Sequence, residues 1–174
     1  MKVLIISLPR TGSTSLMKKF VQSNKLRPVW EPFATINSNR LNLNYDTSNN
    51  IVVKTMIFDV DNNETDPILF YTEFSKKFDE IILLSRRNLK ECAESLAYME
   101  KHVGSGYSFD MQYVWDASGL DVSGKYDFLK KQNTDLEKLS DILNIPITYY
   151  EDIFDTTSTE KYRKNIKVNK SKLI

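Results

Sequence analysis

The sequence predicts an α/β domain in three layers, a mostly parallel sheet with helices on both faces. Three observations carry that reading. Short β-branched apolar runs recur at Val3–Ile6, Ile51–Ile57 and Ile81–Leu84, continuous enough to be buried on both faces, as parallel strands are. Stretches with apolar residues at helical spacing separate these runs, so strand and helix alternate along the chain. The 174 residues suit a single domain around one core, spanning 1–174, with a core of about 1–155, a basic tail of 156–174, and neither internal repeat nor linker.

Residues 2–7 form the first expected strand. A loop of small and hydroxyl residues follows. A helix then runs from about Thr14 to Ser23, with Leu16, Met17, Phe20 and Val21 on its apolar side. Pro28–Trp30 reads as a short strand stopped by Glu31-Pro32-Phe33, and residues 34–50, rich in Asn and Ser, read as loop around at most a short helix. Residues 51–57 are the next buried strand, interrupted by Lys54, and Asp59 to Glu64 reads as a polar loop. Asp66-Pro67 supplies an N-cap and a first-turn proline for a helix reaching about Lys77, with Ile68, Tyr71, Phe74 and Phe78 on one side.

Residues 80–85 form another buried strand. Asn88, with Glu91 three residues on, has the form of a capping box for a helix to about Lys101. Residues 102–123 read as irregular. A helix from about Tyr126 to Leu143 carries Leu129, Leu136, Leu139 and Leu143, with Asn144 to close it. Residues 147–150 read as the last strand, and the tail from Thr156 is polar and basic.

Apolar content of 41% and charged content of 27% are those of an ordinary soluble globular protein. A net charge of +1 gives no support to bulk nucleic-acid binding, so an anion site must be built from locally placed cations. Cys92 is the one cysteine, which excludes an intrachain disulfide and argues against a cysteine-based zinc site. The apolar run Val3–Leu8 is too short for a signal peptide, and no stretch approaches the roughly 20 apolar residues of a membrane span. A cytoplasmic protein with neither membrane nor nucleic-acid partner is the expectation.

In parallel sheets ligands bind beyond the carboxyl ends of the strands. Arg10, Glu31, Lys54 and Arg86-Arg87 all fall at or near such ends. The loop before the first helix suits a phosphate or sulfate. A helix start offers unpaired N–H groups, Gly12 admits a close approach, Ser13, Thr14 and Ser15 add hydroxyls, and Arg10 adds charge. A Walker A loop fitted to Ser7–Thr14 would need glycine at Ser7 and lysine at Ser13. Ordinary ATP or GTP hydrolysis is therefore disfavoured, and a turn that binds nothing is the plain structural alternative.

Pro9-Arg10-Thr11-Gly12-Ser13-Thr14 resembles the first signature of the sulfotransferases that use 3′-phosphoadenylyl sulfate (PAPS), a Pro-(Lys/Arg)-Ser-Gly-(Thr/Ser)-Thr loop for the 5′-phosphosulfate end. The stretch from Arg87 to Ser95 resembles the second, an arginine at a strand end and a serine eight residues on, with Leu89 in place of the usual proline. Nearly two helical turns separate Asn88 from Ser95, which returns Ser95 to the face Arg87 can reach. For Arg86-Arg87 a solvated surface pair is the alternative.

Lys54-Thr55-Met56 resembles the Lys-Thr-His of cytosolic members that act on small hydroxylated molecules, with Met56 where their base stands. Trp30-Glu31-Pro32-Phe33 is similar to a Glu-Pro segment of carbohydrate-acting and bacterial members, whose glutamate serves as base. Tyr149-Tyr150-Glu151-Asp152 is similar to the family's last core strand and is a marker of the fold. Ser15 replaces a tryptophan that stacks on adenine in the small-molecule enzymes, and Tyr162-Arg163-Lys164-Asn165 is a weak echo of their C-terminal segment.

The resemblance implies a P-loop-like fold and transfer of a sulfuryl group from PAPS to a hydroxyl of a small-molecule or carbohydrate acceptor, releasing the bisphosphate PAP. On that reading the backbone of Thr11, Gly12, Ser13 and Thr14, with Ser15, holds the 5′-phosphate, and Arg10 and Lys54 neutralise charge on the leaving phosphate. Arg87 and Ser95 hold the 3′-phosphate. Glu31, desolvated by Trp30 and Phe33, is the general base, with His102 its rival. No metal is required. Two other functions stay open: an ATP-dependent nucleotide kinase-like enzyme, and a non-catalytic module that binds PAPS or another anion, which Met56 favours. Acceptor identity and oligomeric state have no code in the sequence.

Overall fold

In chain order the elements are β1 (Lys2–Ser7), α1 (Ser13–Asn24), β2 (Arg27–Trp30), β3 (Ile51–Met56), α2 (Pro67–Ser75), β4 (Glu80–Ser85), α3 (Leu89–His102), α4 (Val122–Leu143), β5 (Ile147–Tyr149) and α5 (Tyr150–Ile153). This computed structural model describes residues 1–34, 50–60, 65–102 and 120–154. The expectations for 35–49, for residues 61–64 of the polar loop, for 103–119 and for the tail from 155 onward lie outside the described residues.

Five strands form one all-parallel sheet in the order β2-β3-β1-β4-β5. β1 is the middle strand, with Lys2 opposite Ile51 on one side and Val3 opposite Glu80 on the other. Alternate residues of the buried strands serve the two faces. Leu4, Ile6, Ile51, Val53 and Leu83 pack with Tyr71 and Phe74 of α2, Cys92 and Leu96 of α3, and Leu129, Leu136 and Leu139 of α4. Val3, Ile5, Val52 and Leu84 pack with Leu16 and Met17 of α1, and Ile153 and Phe154 join them. The result is the expected α/β/α layering. No described helix is long and apolar enough to cross a membrane.

The caps set the boundaries. Asp66 accepts from the N–H groups of Ile68 and Leu69 at 2.8 and 3.4 Å, as its N-cap position requires. Asn144 closes α4 in the left-handed region at φ 53°. Four expectations need correction. α4 begins at Val122, ahead of the expected Tyr126, because Asp121 caps the Gly124 N–H at 2.9 Å and draws that glycine into the first turn. Ile57 leaves the strand for a 3-10 turn, Ile57–Val60, which occupies the start of the expected polar loop. β5 stops at Tyr149, and Tyr150 opens α5. Asn88 Oδ1 does accept the Glu91 N–H at 3.2 Å, but the Glu91 carboxylate pairs with Arg86, so the reciprocal half of the capping box is replaced by an ion pair.

Candidate functional site

β1 does not end cleanly at Ser7, since the Leu8 N–H still donates to Leu84 O at 3.2 Å. The loop Pro9–Gly12 therefore leaves from the middle of the sheet. Here the chain after β1 passes to α1 on one face and the chain after β4 passes to α3 on the other, the arrangement that opens a crevice in parallel sheets. Thr11, fully buried, donates its hydroxyl back to Leu8 O at 2.8 Å and closes the loop on itself. Arg10 and Gly12 both take left-handed φ, 61° and 75°.

Gly12 starts α1 without a side-chain cap. The first-turn N–H groups of Ser13, Thr14 and Ser15 thus have no partner within the helix. A Cβ on Gly12 would stand 2.6 Å from the Tyr150 ring. The close approach that the glycine permits is therefore made by an aromatic side chain. Tyr150 in turn stacks on Phe154 at 4.8 Å between centroids and lies under the Arg86 guanidinium.

Arg10 reaches from this loop to α3. Its Nε donates to Ser95 Oγ at 2.8 Å, and its NH1 contacts Met99 Sδ at 3.8 Å. Ser95 is buried, so the sequence-predicted serine is held by the sequence-predicted loop arginine. Arg87 lies elsewhere: half of its side chain is exposed, it grips Asp152 with two hydrogen bonds of 2.7 and 2.8 Å, and it covers the Tyr149 ring at 4.4 Å. The Asp152 bond holds the Arg87 guanidinium above its ordinary pKa and the Asp152 carboxyl below its own. The expected meeting of Arg87 and Ser95 is replaced by these two separate pairings. Arg86 turns inward to Glu91, with Glu151 at 3.6 Å, and its buried Nε has no hydrogen bond among the described residues.

Glu31 and Lys54 come together. In the parallel register Trp30 faces Lys54, and the Glu31 N–H donates to Lys54 O at 2.7 Å. Glu31 then turns at φ 37°, and its carboxylate meets the Lys54 ammonium in an ion pair. The Lys54 side chain is 5% exposed, so its charge needs this partner. The Glu31 side chain is held by Lys54 and is 26% exposed. Trp30 is exposed, and Phe33 packs edge-on against Phe70 and Phe74.

Sequence reasoning missed Asp59. Its Oδ2 accepts from the Met56 N–H at 2.7 Å and from Thr55 Oγ1 at 2.9 Å, beside the end of β3. Thr55 Oγ1 also lies 2.8 Å from the hydroxyl of the fully buried Tyr71, which donates to Met56 O at 2.8 Å. Burial pushes the Asp59 carboxyl up to about 6. The Met56 and Thr55 donors pull it back, the Glu31 charge adds to the rise and the Lys54 charge opposes it. Burial also pushes the Tyr71 phenol up, so it stays a hydrogen-bond donor. The available signal was an aspartate three residues beyond a buried strand. His102 closes α3.

Taken together, the strand ends present an uncapped helix start, two cations from different elements, and two carboxylates near the buried ammonium. That set can bind an oxyanion and handle a proton. Two open depressions along α2, one bordered by Lys131 and Ile142 and one by Leu69 and Phe70, include none of these residues. No protein-family model matches the chain, and no curated protein matches it significantly.

Proposed function

We propose that this protein is a sulfotransferase with a P-loop-like fold, taking its sulfuryl group from PAPS and passing it to a hydroxyl of a small-molecule or carbohydrate acceptor. The observation that carries the reading is the convergence of the uncapped start of α1, Arg10 and the Lys54–Glu31 pair at the carboxyl ends of β1, β2 and β3. Backbone N–H groups, hydroxyls and fixed cations make a donor set that fits a phosphosulfate. The donor nucleotide supplies the sulfuryl group and the phosphate that leaves.

Ser13, Thr14 and Ser15 hold the 5′-phosphate through their backbone N–H groups. Arg10 and Lys54 stabilise the charge that grows on the leaving oxygen, so positioning and electrostatics supply most of the catalysis. Arg87, at the end of β4, gives a planar fork suited to the 3′-phosphate once Asp152 yields it. Ser95 accepts from Arg10 and so positions that guanidinium at the loop. A carboxylate at the ends of β2 and β3, where Glu31 meets Lys54, takes the acceptor's proton.

The test is a calorimetric titration with adenosine 3′,5′-bisphosphate and with adenosine 5′-monophosphate, followed by transfer of labelled sulfate from PAPS to a panel of hydroxylated acceptors. The bisphosphate should bind at least about tenfold more tightly, the equivalent of one good charged contact. Equal affinity removes the 3′-phosphate site. Tight binding with no transfer to any acceptor leaves a binding module, and magnesium-dependent phosphoryl transfer from ATP points to the kinase-like alternative.

A further inference from the structure

We infer that Asp59 is the group that takes the acceptor's proton, and that Glu31 serves to hold the Lys54 ammonium. This rests on the sulfuryl-transfer reading and names the base within that site.

The two carboxylates are differently placed. Glu31 is the counter-charge of a lysine whose side chain is 5% exposed. A proton on Glu31 would strand a buried ammonium, which is costly. Asp59 carries no such duty. Its Oδ2 is anchored by the Met56 N–H and the Thr55 hydroxyl, while Oδ1 has no hydrogen-bond partner among the described residues. One oxygen fixes the carboxylate at the strand end, and the other is assigned to the acceptor.

The anchor also tolerates either protonation state. With Asp59 ionised, Thr55 donates to it and Tyr71 donates to Thr55 or to Met56 O. With a proton on Oδ1, the oxygen given to the acceptor, Oδ2 stays an acceptor and the Met56 N–H and Thr55 hydroxyl keep donating to it. No heavy atom has to move. Among the described residues the charged groups acting on Asp59 are Glu31 from the end of β2 and Lys54 from β3, with opposite signs. The buried Tyr71 faces its anchor from α2, and α4 meets this turn through an apolar contact of Phe128 with Phe58. The raised proton affinity of Asp59 agrees with the assignment.

In the step itself the acceptor's O–H bond breaks and its proton goes to Asp59. The acceptor oxygen forms the new S–O bond, and the bridging S–O bond of the donor breaks with its electron pair leaving on the 5′-phosphate.

Two measurements test this. The first follows the Asp59 carboxyl carbon by NMR in the ligand-free protein. The expected titration lies near pH 6, moves down in Glu31→Gln and moves up in Lys54→Met. The second compares sulfate transfer and bisphosphate affinity in the folded variants. Asp59→Asn should lose about a hundredfold or more in turnover, together with the acid limb of the pH profile, while affinity stays within about twofold. Glu31→Gln should keep the acid limb. Titration of Asp59 at the ordinary carboxylate value overturns the assignment, as does wild-type turnover in Asp59→Asn. The NMR measurement decides even where Asp59→Asn does not fold. Wild type that binds no bisphosphate sinks the sulfuryl-transfer reading and this role with it. Wild type that binds and transfers at the rate of Asp59→Asn sinks the role of Asp59 alone.

Discussion

Arg87 is gripped by Asp152 through two parallel hydrogen bonds, NH1 to Oδ1 at 2.7 Å and NH2 to Oδ2 at 2.8 Å. The fork that would meet a 3′-phosphate is thus already filled by a carboxylate of its own chain. On the sulfuryl-transfer reading Asp152 and the phosphate compete for one site, and the pair is exposed, so its exchange is inexpensive. Asp152→Asn should tighten binding of adenosine 3′,5′-bisphosphate by several-fold, roughly the worth of one exposed charge contact, and leave the monophosphate unchanged. Arg87→Ala should weaken the bisphosphate alone. Calorimetry on both variants with both nucleotides checks the sign of each change.

The bond from Arg10 to Ser95 makes a different forecast. Ser95→Ala removes the acceptor that positions the Arg10 guanidinium against α3. With Arg10 at the 5′ end, as the proposed function has it, affinity should fall for both nucleotides, by about five- to tenfold, the worth of one charge-assisted hydrogen bond. A loss confined to the bisphosphate would show that Ser95 acts on the 3′-phosphate and not through Arg10.

Removing one member of the Lys54–Glu31 pair should be costly for stability, and unequally so. Glu31→Gln leaves a buried ammonium without its counter-charge and should cost about 2–3 kcal/mol. Lys54→Met leaves a partly exposed carboxylate that water can reach, and should cost less. Urea denaturation of the two variants gives the order, and equal losses would contradict it.

Asp59 makes the stability depend on pH. Its carboxyl binds a proton more tightly in the folded chain than its ordinary value of 3.8 would give. Below about pH 4 the group is protonated in both states and costs nothing. As pH rises through about 6 the folded chain must ionise a desolvated group, so stability falls across that window. Asp59→Asn should abolish that fall, gaining on wild type by up to about 3 kcal/mol between pH 4 and 7. Denaturation at a series of pH values checks it.

Gly12→Ala would place a Cβ at φ 75° and 2.6 Å from the Tyr150 ring. Left-handed backbone alone costs about 1–2 kcal/mol, and displacing the ring adds to it. The variant should show a lower melting temperature and weaker bisphosphate binding, both measurable in one thermal-shift series.

The sheet was legible because buried parallel strands are written as unbroken β-branched runs, and all five strands could be bounded within one residue. The start of α4 was not, because Gly124 looks like loop until Asp121 is seen capping it. Glu31 and Lys54 each stood out, one before a proline and one alone in an apolar strand. Their pairing depends on the register that sets Trp30 against Lys54, which no local pattern encodes. Arg86 and Arg87 show the same limit, since adjacent identical residues turn to opposite sides, one into Glu91 and one out to Asp152. Asp59 looked like solvent-facing loop because its burial comes from the turn packing beneath Tyr71, a residue twelve positions away.

The geometry of β2 reaches beyond the site. Arg27 and Glu31 direct their N–H groups inward, to Asn50 O and Lys54 O of the neighbouring strand, so the two positions between them that face outward are 28 and 30. One of those is Pro28, which has no N–H to offer. The outer rim of this edge strand therefore presents a single donor across its four residues, too few to template another strand, and the proline guards the sheet against edge-to-edge aggregation.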